Sequence, residues 1–98
     1  MFMQWLFELL VRYDIWRILR MMTPEDREAL RTVTEWELIH FHHTFGMFLR
    51  NAFRGGQFPG LSLRCRKLVD ASDEPMSFDA LSSVAIREIW KTLQKDKS

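Results

Sequence analysis

Three histidines within four positions, His40, His42 and His43, are the residues whose types and spacing first suggest chemistry. On an α-helix, residues three apart share a face, so Glu37, His40 and His43 would converge as a carboxylate and two imidazoles. Such Glu-x-x-His sites need matching ligands from other helices, and this chain has no second pair and no His-Glu-x-x-His zinc motif. A metal would require a symmetric dimer or ligands such as Asp79. We predict no metal and no other cofactor, and interpret the histidines as polar packing residues.

Other catalytic patterns are incomplete. Ser82 and Ser83 fall inside a helical pattern, without the nucleophile elbow or oxyanion loop that a serine hydrolase requires. The pair Gly55-Gly56 lacks the lysine and the spacing of a phosphate-binding loop, and a helix stop accounts for it. We therefore predict no catalytic residue and no enzymatic activity.

Arg50 and Asn51 are polar residues near the end of an aromatic helical segment. We expect Arg50 to form a charge-assisted bond with Asp79, tying this segment to the last helix, and binding of an anion or a partner carboxylate is the alternative. His43, Arg50, Asn51 and Asp79 are assigned as structural polar residues. An enzyme that places His43, Arg50 and Asp79 in one pocket needs a convergence that the sequence does not reveal.

These residues are carried by a predicted central helix, about Glu35 to Arg54. A capping box of Thr34 and Glu37 begins it, and Gly55 and Gly56 end it. One face is a predicted core stripe of Leu38, Phe41, Phe45, Phe48, Leu49 and Ala52. The opposite side carries Trp36, His40, His43, Met47 and Arg50. The helix is therefore either sandwiched in the bundle or half-covered by a partner. The glycine inside it, Gly46, predicts close approach of another backbone, which we expect to be the last helix.

The remaining elements are separated by clear helix starts and turns. Thr23-Pro24 begins a short helix that runs to about Arg31. A short basic helix over 61–69 turns Leu61, Cys65 and Leu68 inward. The last helix begins at Phe78 and has a core stripe of Leu81, Ala85, Ile89 and Leu93. With no alternating strand pattern, the sequence predicts an all-α, compact bundle of four to five helices around the central aromatic helix.

The segment 1–22 is apolar, but charged residues interrupt it at short intervals: Glu8, Arg12, Asp14, Arg17 and Arg20. No run of about 18 uncharged residues exists, so we predict no membrane span. A helix this apolar must be covered by its own domain, by another copy or by a partner. A helix lying on a membrane is the minority interpretation, because the polar face lacks a cluster of lysines.

Length and composition limit the alternatives further. The chain has 98 residues, which fit one domain, 1–98, made of the N-terminal helix 1–22 and a core 23–94. A net charge of +1 argues against a strongly basic nucleic-acid surface, and we predict no nucleic-acid partner. The single cysteine, Cys65, precludes an internal disulfide and favours a reducing compartment, so we expect a cytoplasmic protein.

One pattern of residues resembles a known family. A His-x-x-Gly stretch, an Arg-Asn-x-Phe stretch, a glycine-rich stop and an Asp-Ala-Ser-type last helix are similar to an uncharacterised family of short bacterial all-α domains. The matching positions are His43, Phe45, Gly46, Arg50, Asn51, Phe53, Gly55, Gly56, Asp79, Ala80, Ser82 or Ser83, Trp90 and Leu93. The likeness covers roughly Ile15 to Leu93. Because this is a domain of unknown function, the resemblance implies a fold and no activity, and segment 1–11 departs from it.

Three classes of function follow from these observations. The first is a small protein-binding module, most concretely a cytoplasmic immunity or antitoxin-type protein that neutralises a toxin, and a homo-oligomer is the other form of association. The predicted partner-binding residues are Trp5, Leu9, Trp36, His40 and Met47. The second is a helix-turn-helix regulator, whose recognition helix would begin Glu35-Trp36-Glu37 and turn carboxylates toward phosphates. The third is the enzyme described above.

Overall fold

The computed structural model describes residues 2–95, and of Phe2 the backbone alone. The ends of the predicted domain, Met1 and residues 96–98, lie outside the described residues. The described chain contains five α-helices and one 3₁₀ helix and has no strand. The α-helices are α1 (Phe2–Met21), α2 (Pro24–Thr32), α3 (Phe45–Arg54), α4 (Pro59–Ala71) and α5 (Phe78–Lys95). The all-α class is confirmed, and six helical elements replace the predicted four to five.

The predicted central helix is two elements, so that expectation is wrong. A 3₁₀ helix (Glu35–Phe41) is followed by a turn at 42–44, and α3 starts at Phe45. The His42 N–H donates to the Ile39 carbonyl, 3.2 Å away and three residues back, which is the tighter 3₁₀ pattern. β-Branched, aromatic and histidine residues fill 39–45, and all of these are only moderate helix formers. The packing of the 3₁₀ helix and of α3 therefore determines that the chain turns at 42–44.

The core lies between α5 and the helices that pack on it, α3 and α4. The α5 stripe is buried as predicted: Leu81, Ala85, Ile89 and Leu93, joined by Ile86. From the predicted central stripe, Leu38, Phe45, Leu49 and Ala52 are buried, while Phe41 and Phe48 are half-buried. In α4, Leu61 and Cys65 face inward as expected. Leu68 does not, since it is exposed and its neighbour Val69 is buried instead.

The local helix starts match the sequence signals. The Thr23 hydroxyl accepts a hydrogen bond of 3.1 Å from the Asp26 N–H and caps α2, with Pro24 at the first helical position. The Glu37 carboxylate accepts hydrogen bonds from the Thr34 N–H at 2.9 Å and from the Thr34 hydroxyl at 3.0 Å. These two bonds lower the pKa of Glu37, because they stabilise its charged form.

A buried carboxylate joins α1 to α4. Asp14 is buried, and its Oδ2 accepts a hydrogen bond of 3.0 Å from the Leu61 N–H in the first turn of α4. Phe58, immediately before α4, has a positive φ of 53° and a buried ring. Gly60 lies so close to α1 that a Cβ would be 3.1 Å from the Leu10 carbonyl carbon. Asp14 therefore acts as a cap for a helix far away in sequence.

Gly46 is buried, but its neighbours are not those expected from the sequence. A Cβ there would lie 3.2 Å from Arg50 Nη1, 3.7 Å from the Phe41 carbonyl oxygen and 3.8 Å from His42 Cβ. The nearest atoms thus belong to α3 itself and to the preceding turn. A second backbone does approach Gly46, but it is the Phe41 carbonyl at the end of the 3₁₀ helix, so the expectation that the last helix is this neighbour is wrong.

Candidate functional site

The 3₁₀ helix presents an apolar surface to solvent, formed by Trp36 and Ile39. Trp36 is 92% exposed and Ile39 is 66% exposed, whereas Leu38 between them is buried. Because consecutive side chains point in different directions around a 3₁₀ helix, anchoring Leu38 in the core projects its neighbours outward. The carboxylates of Glu35 and Glu37 stand beside Trp36 in sequence and are exposed. We call Glu35, Trp36, Glu37 and Ile39 the Trp36 surface.

A groove of about 530 Å³ adjoins the Trp36 surface and lies between the 3₁₀ helix and α5. Apolar side chains, Leu38 and Ile86, form part of it, and polar groups from α5 form its rim. Arg87 Nε lies 3.4 Å from Glu35 Oε2, and Ser83 Oγ lies 3.4 Å from His42 Nε2. An apolar groove with hydrogen-bonding groups at its edge is better suited to binding a side chain of another molecule than to catalysing a reaction.

The three histidines diverge. His42 is half-buried against Ser83, while His40 and His43 are exposed. Glu37 and His40 share a face of the 3₁₀ helix, but the turn at 42–44 separates His43 from them, so the three side chains do not lie along one helix face. Across residues 2–95, no three His, Cys, Asp or Glu side chains are grouped closely enough to share a metal ion.

Arg50 and Asp79 are close together, as the sequence predicted. Arg50 Nε lies 3.4 Å from Asp79 Oδ1, and Arg50 Nη1 points to the His42 carbonyl oxygen at 3.5 Å. The Asp79 side chain is 85% exposed, so solvent screens this ion pair. Asn51 is exposed, like His43, and a structural role for these two residues stays a prediction.

The outer side of α1 is the second apolar surface. Its buried residues are Val11, Asp14, Ile15 and Ile18. The exposed apolar residues on the remaining circumference are Met3, Trp5, Leu6, Leu9, Leu10, Tyr13, Trp16 and Met21. We call these eight residues the α1 outer face.

All five residues predicted to contact a partner are exposed, but they lie on three elements. Trp5 and Leu9 are on α1, Trp36 and His40 are on the 3₁₀ helix, and Met47 is on α3. Sequence reasoning missed Ile39, which the helical pattern had not singled out. That Trp36 and Ile39 lie on one exposed face while Leu38 is buried could be predicted only if the segment were known to be a 3₁₀ helix.

Cys65 is not a reactive group. Burial in the core raises the pKa of its thiol to about 12, and the neighbouring Glu88 adds to this effect. A thiol with so high a pKa remains protonated near neutral pH and is therefore a poor nucleophile and metal ligand.

Comparisons of this chain with protein-family models, with curated proteins and with solved structures give no match. Within the described residues, no helix combines the length and the apolar character needed to cross a membrane.

Proposed function

We propose that this protein is a small protein-binding module and that the Trp36 surface is its main contact. The observation that supports this is the 92% exposure of a tryptophan held on a helix whose Leu38 is buried. Leaving so large an apolar side chain in water contributes nothing to folding, whereas burying it against a partner is favourable by roughly 2–3 kcal/mol. Tryptophan is also the residue type most enriched among those that dominate binding energy.

Charge favours a basic partner surface. Glu35 and Glu37 flank Trp36, and the preceding helix α2 exposes the further acids Glu25, Asp26 and Glu28. Three arginines offset these acids in part: Arg31 is paired with Glu28, Arg87 of α5 is paired with Glu35, and Arg27 is half-buried in α2. Exposed carboxylates beside an exposed apolar side chain attract a basic protein and repel an acidic one. In its most specific form, the proposal is a cytoplasmic immunity or antitoxin-type protein that covers a basic region of a toxin.

The two alternatives have weaker support. For an enzyme built on His43, Arg50 and Asp79, the arginine is already engaged by the carboxylate and by the His42 carbonyl. For a helix-turn-helix regulator, the element after the turn is a seven-residue 3₁₀ helix that starts with exposed carboxylates. Such an element would meet DNA phosphates with like charge. The resemblance to the family of short bacterial domains adds a fold to these proposals and no activity.

The test uses the product of the gene adjacent to this one as the candidate partner. We expect the two proteins to co-purify and Trp36→Ala to weaken the complex by at least about 30-fold, since a central tryptophan is worth ~2 kcal/mol or more. Leu63→Ala, on an exposed leucine of α4, is the matched control and should leave affinity within about twofold. Both variants should keep the thermal midpoint of the parent. A complex that tolerates Trp36→Ala would refute the assignment of this surface.

A further inference from the structure

The α1 outer face is wide and is not needed by the core. α1 has 20 residues, so it is about 30 Å long, and its exposed apolar positions span about 160° of its circumference at 3.6 residues per turn. The opposite side already supplies the core with Val11, Ile15 and Ile18. When a helix is apolar on both sides, we expect its outer side to contact something other than its own bundle.

The outward charges of α1 are mainly positive, since Glu8 is the one acid that it exposes. Its arginines, Arg12, Arg17 and Arg20, are all exposed. Its two acids are engaged elsewhere, because Glu8 is paired with Arg64 of α4 and Asp14 is buried against the Leu61 N–H. Lys67 of α4 lies elsewhere, with its ammonium 4.9 Å from the ring centre of Phe7, which is not part of the α1 outer face. The three arginines therefore give the exposed side of α1 a net positive charge.

Two arginines lie on the aromatic rings of the same face. The Arg20 guanidinium is 5.0 Å from the Trp16 ring centre, and the Arg17 guanidinium lies between the Tyr13 ring, at 5.8 Å, and the buried Phe58 ring, at 5.2 Å. The rings of Tyr13 and Trp16 are themselves stacked at 6.1 Å. Tyrosine and tryptophan with adjacent arginine stems suit a boundary between apolar chains and charged headgroups, where the ring is buried and the cation stays wet.

We infer that α1 lies on an anionic membrane surface, with its outer face immersed and its arginines at the lipid phosphates. A second copy of the chain fits less well, because pairing two α1 helices would bring the arginines together with no available acid. A single partner helix covers only a narrow seam, whereas a planar lipid surface covers a wide arc.

The inference concerns a surface different from the one proposed for the protein partner, so the two are tested independently. The protein is floated with vesicles of phosphatidylcholine alone or mixed with phosphatidylglycerol, at low and high salt. We expect binding to the anionic vesicles and at least about tenfold weaker binding to the neutral ones, with high salt abolishing the difference. No binding to anionic vesicles would overturn the inference.

Two sets of variants locate the contact. Leu6→Glu with Trp16→Glu should reduce binding more than tenfold, and Ile39→Glu, the same change on the Trp36 surface, should not. Arg12→Gln with Arg20→Gln leaves the apolar residues in place and should cost roughly fivefold per arginine on anionic vesicles. Circular dichroism checks that each variant is folded. Binding that survives both α1 variants, or that Ile39→Glu removes, would overturn the inference.

Fluorescence and sedimentation separate the remaining possibilities. Vesicles should shift the tryptophan emission of the protein to the blue, and this shift should shrink in Trp16→Phe but persist in Trp36→Phe. A protein that ignores vesicles, yet dimerises or co-purifies with another protein in a way that Leu6→Glu with Trp16→Glu abolishes, would assign the α1 outer face to a protein interface and refute the membrane assignment.

Discussion

The two longest helices, α1 with 20 residues and α5 with 18, have opposite relations to the core. In α5 the large apolar side chains are buried or half-buried, and the exposed positions are polar or charged: Asp79, Arg87, Lys91 and Lys95. In α1 a buried stripe is opposed by a second, exposed apolar surface. Packing of this domain therefore explains α5 fully and α1 only in part. The excess apolar surface of α1 is the feature that calls for a function.

The charges of the two helices differ in the same way. α5 carries both signs and ties them into local pairs, such as Lys91 with Glu88 and Arg87 with Glu35 of the 3₁₀ helix. The exposed arginines of α1 instead surround apolar and aromatic side chains. A helix face with charges of both signs is typical of a solvent-exposed surface, whereas an apolar face with adjacent positive charges suits an anionic surface.

The largest expected effect tests whether α1 shares the core with α5. Ile18→Ala in α1 and Ile89→Ala in α5 each remove a fully buried side chain and should lower the free energy of unfolding by ~2–5 kcal/mol. Urea denaturation measures both. If Ile18→Ala lowers the free energy of unfolding by less than about 1 kcal/mol while Ile89→Ala has the full effect, α1 is only loosely attached. The two helices would then not share one core.

An intermediate effect is expected where α1 meets α4. Gly60→Ala should cost ~1–3 kcal/mol, since the new Cβ would lie 3.1 Å from both the Leu10 carbonyl carbon and Asp14 Oδ2. Gly55→Ala is the matched control, because its Cβ would meet its nearest neighbours at 3.5 Å and its φ is −84°. Thermal and urea unfolding compare the two. Equal stability of both variants would show that α4 does not rest tightly on α1.

The smallest effect is expected on the α1 outer face. Met3→Gln and Leu6→Gln should each change the free energy of unfolding by less than about 0.5 kcal/mol, because both side chains already face solvent. Urea denaturation at two protein concentrations is the measurement. A loss above about 1.5 kcal/mol, or a stability that depends on concentration, would mean that the folded protein covers this face.

Prediction from sequence succeeded where the signal is local. The Thr23 cap, the interaction of Glu37 with Thr34, and the α5 stripe each depend on residues within one or two helical turns. It also found the proximity of Arg50 and Asp79 across two helices, since each was placed at an adjoining helix end. The sequence-based prediction failed at 42–44, where a turn divides the predicted single helix into two. The residues around this turn have only moderate helix propensity, so tertiary packing decides whether one helix or two form.

By itself, the sequence determined the all-α class, most helix starts and the inner stripe of α5, because hydrogen bonds within a few residues and a 3.6-residue period are written in neighbouring positions. Only the tertiary structure decided that Asp14 caps a helix 47 residues away, that Phe58 is buried and that Trp36 is exposed. It also decided which of the two apolar sides of α1 faces solvent. An apolar residue has the same tendency to be buried anywhere, and the contacts between distant segments settle which of these residues the core has room to accept.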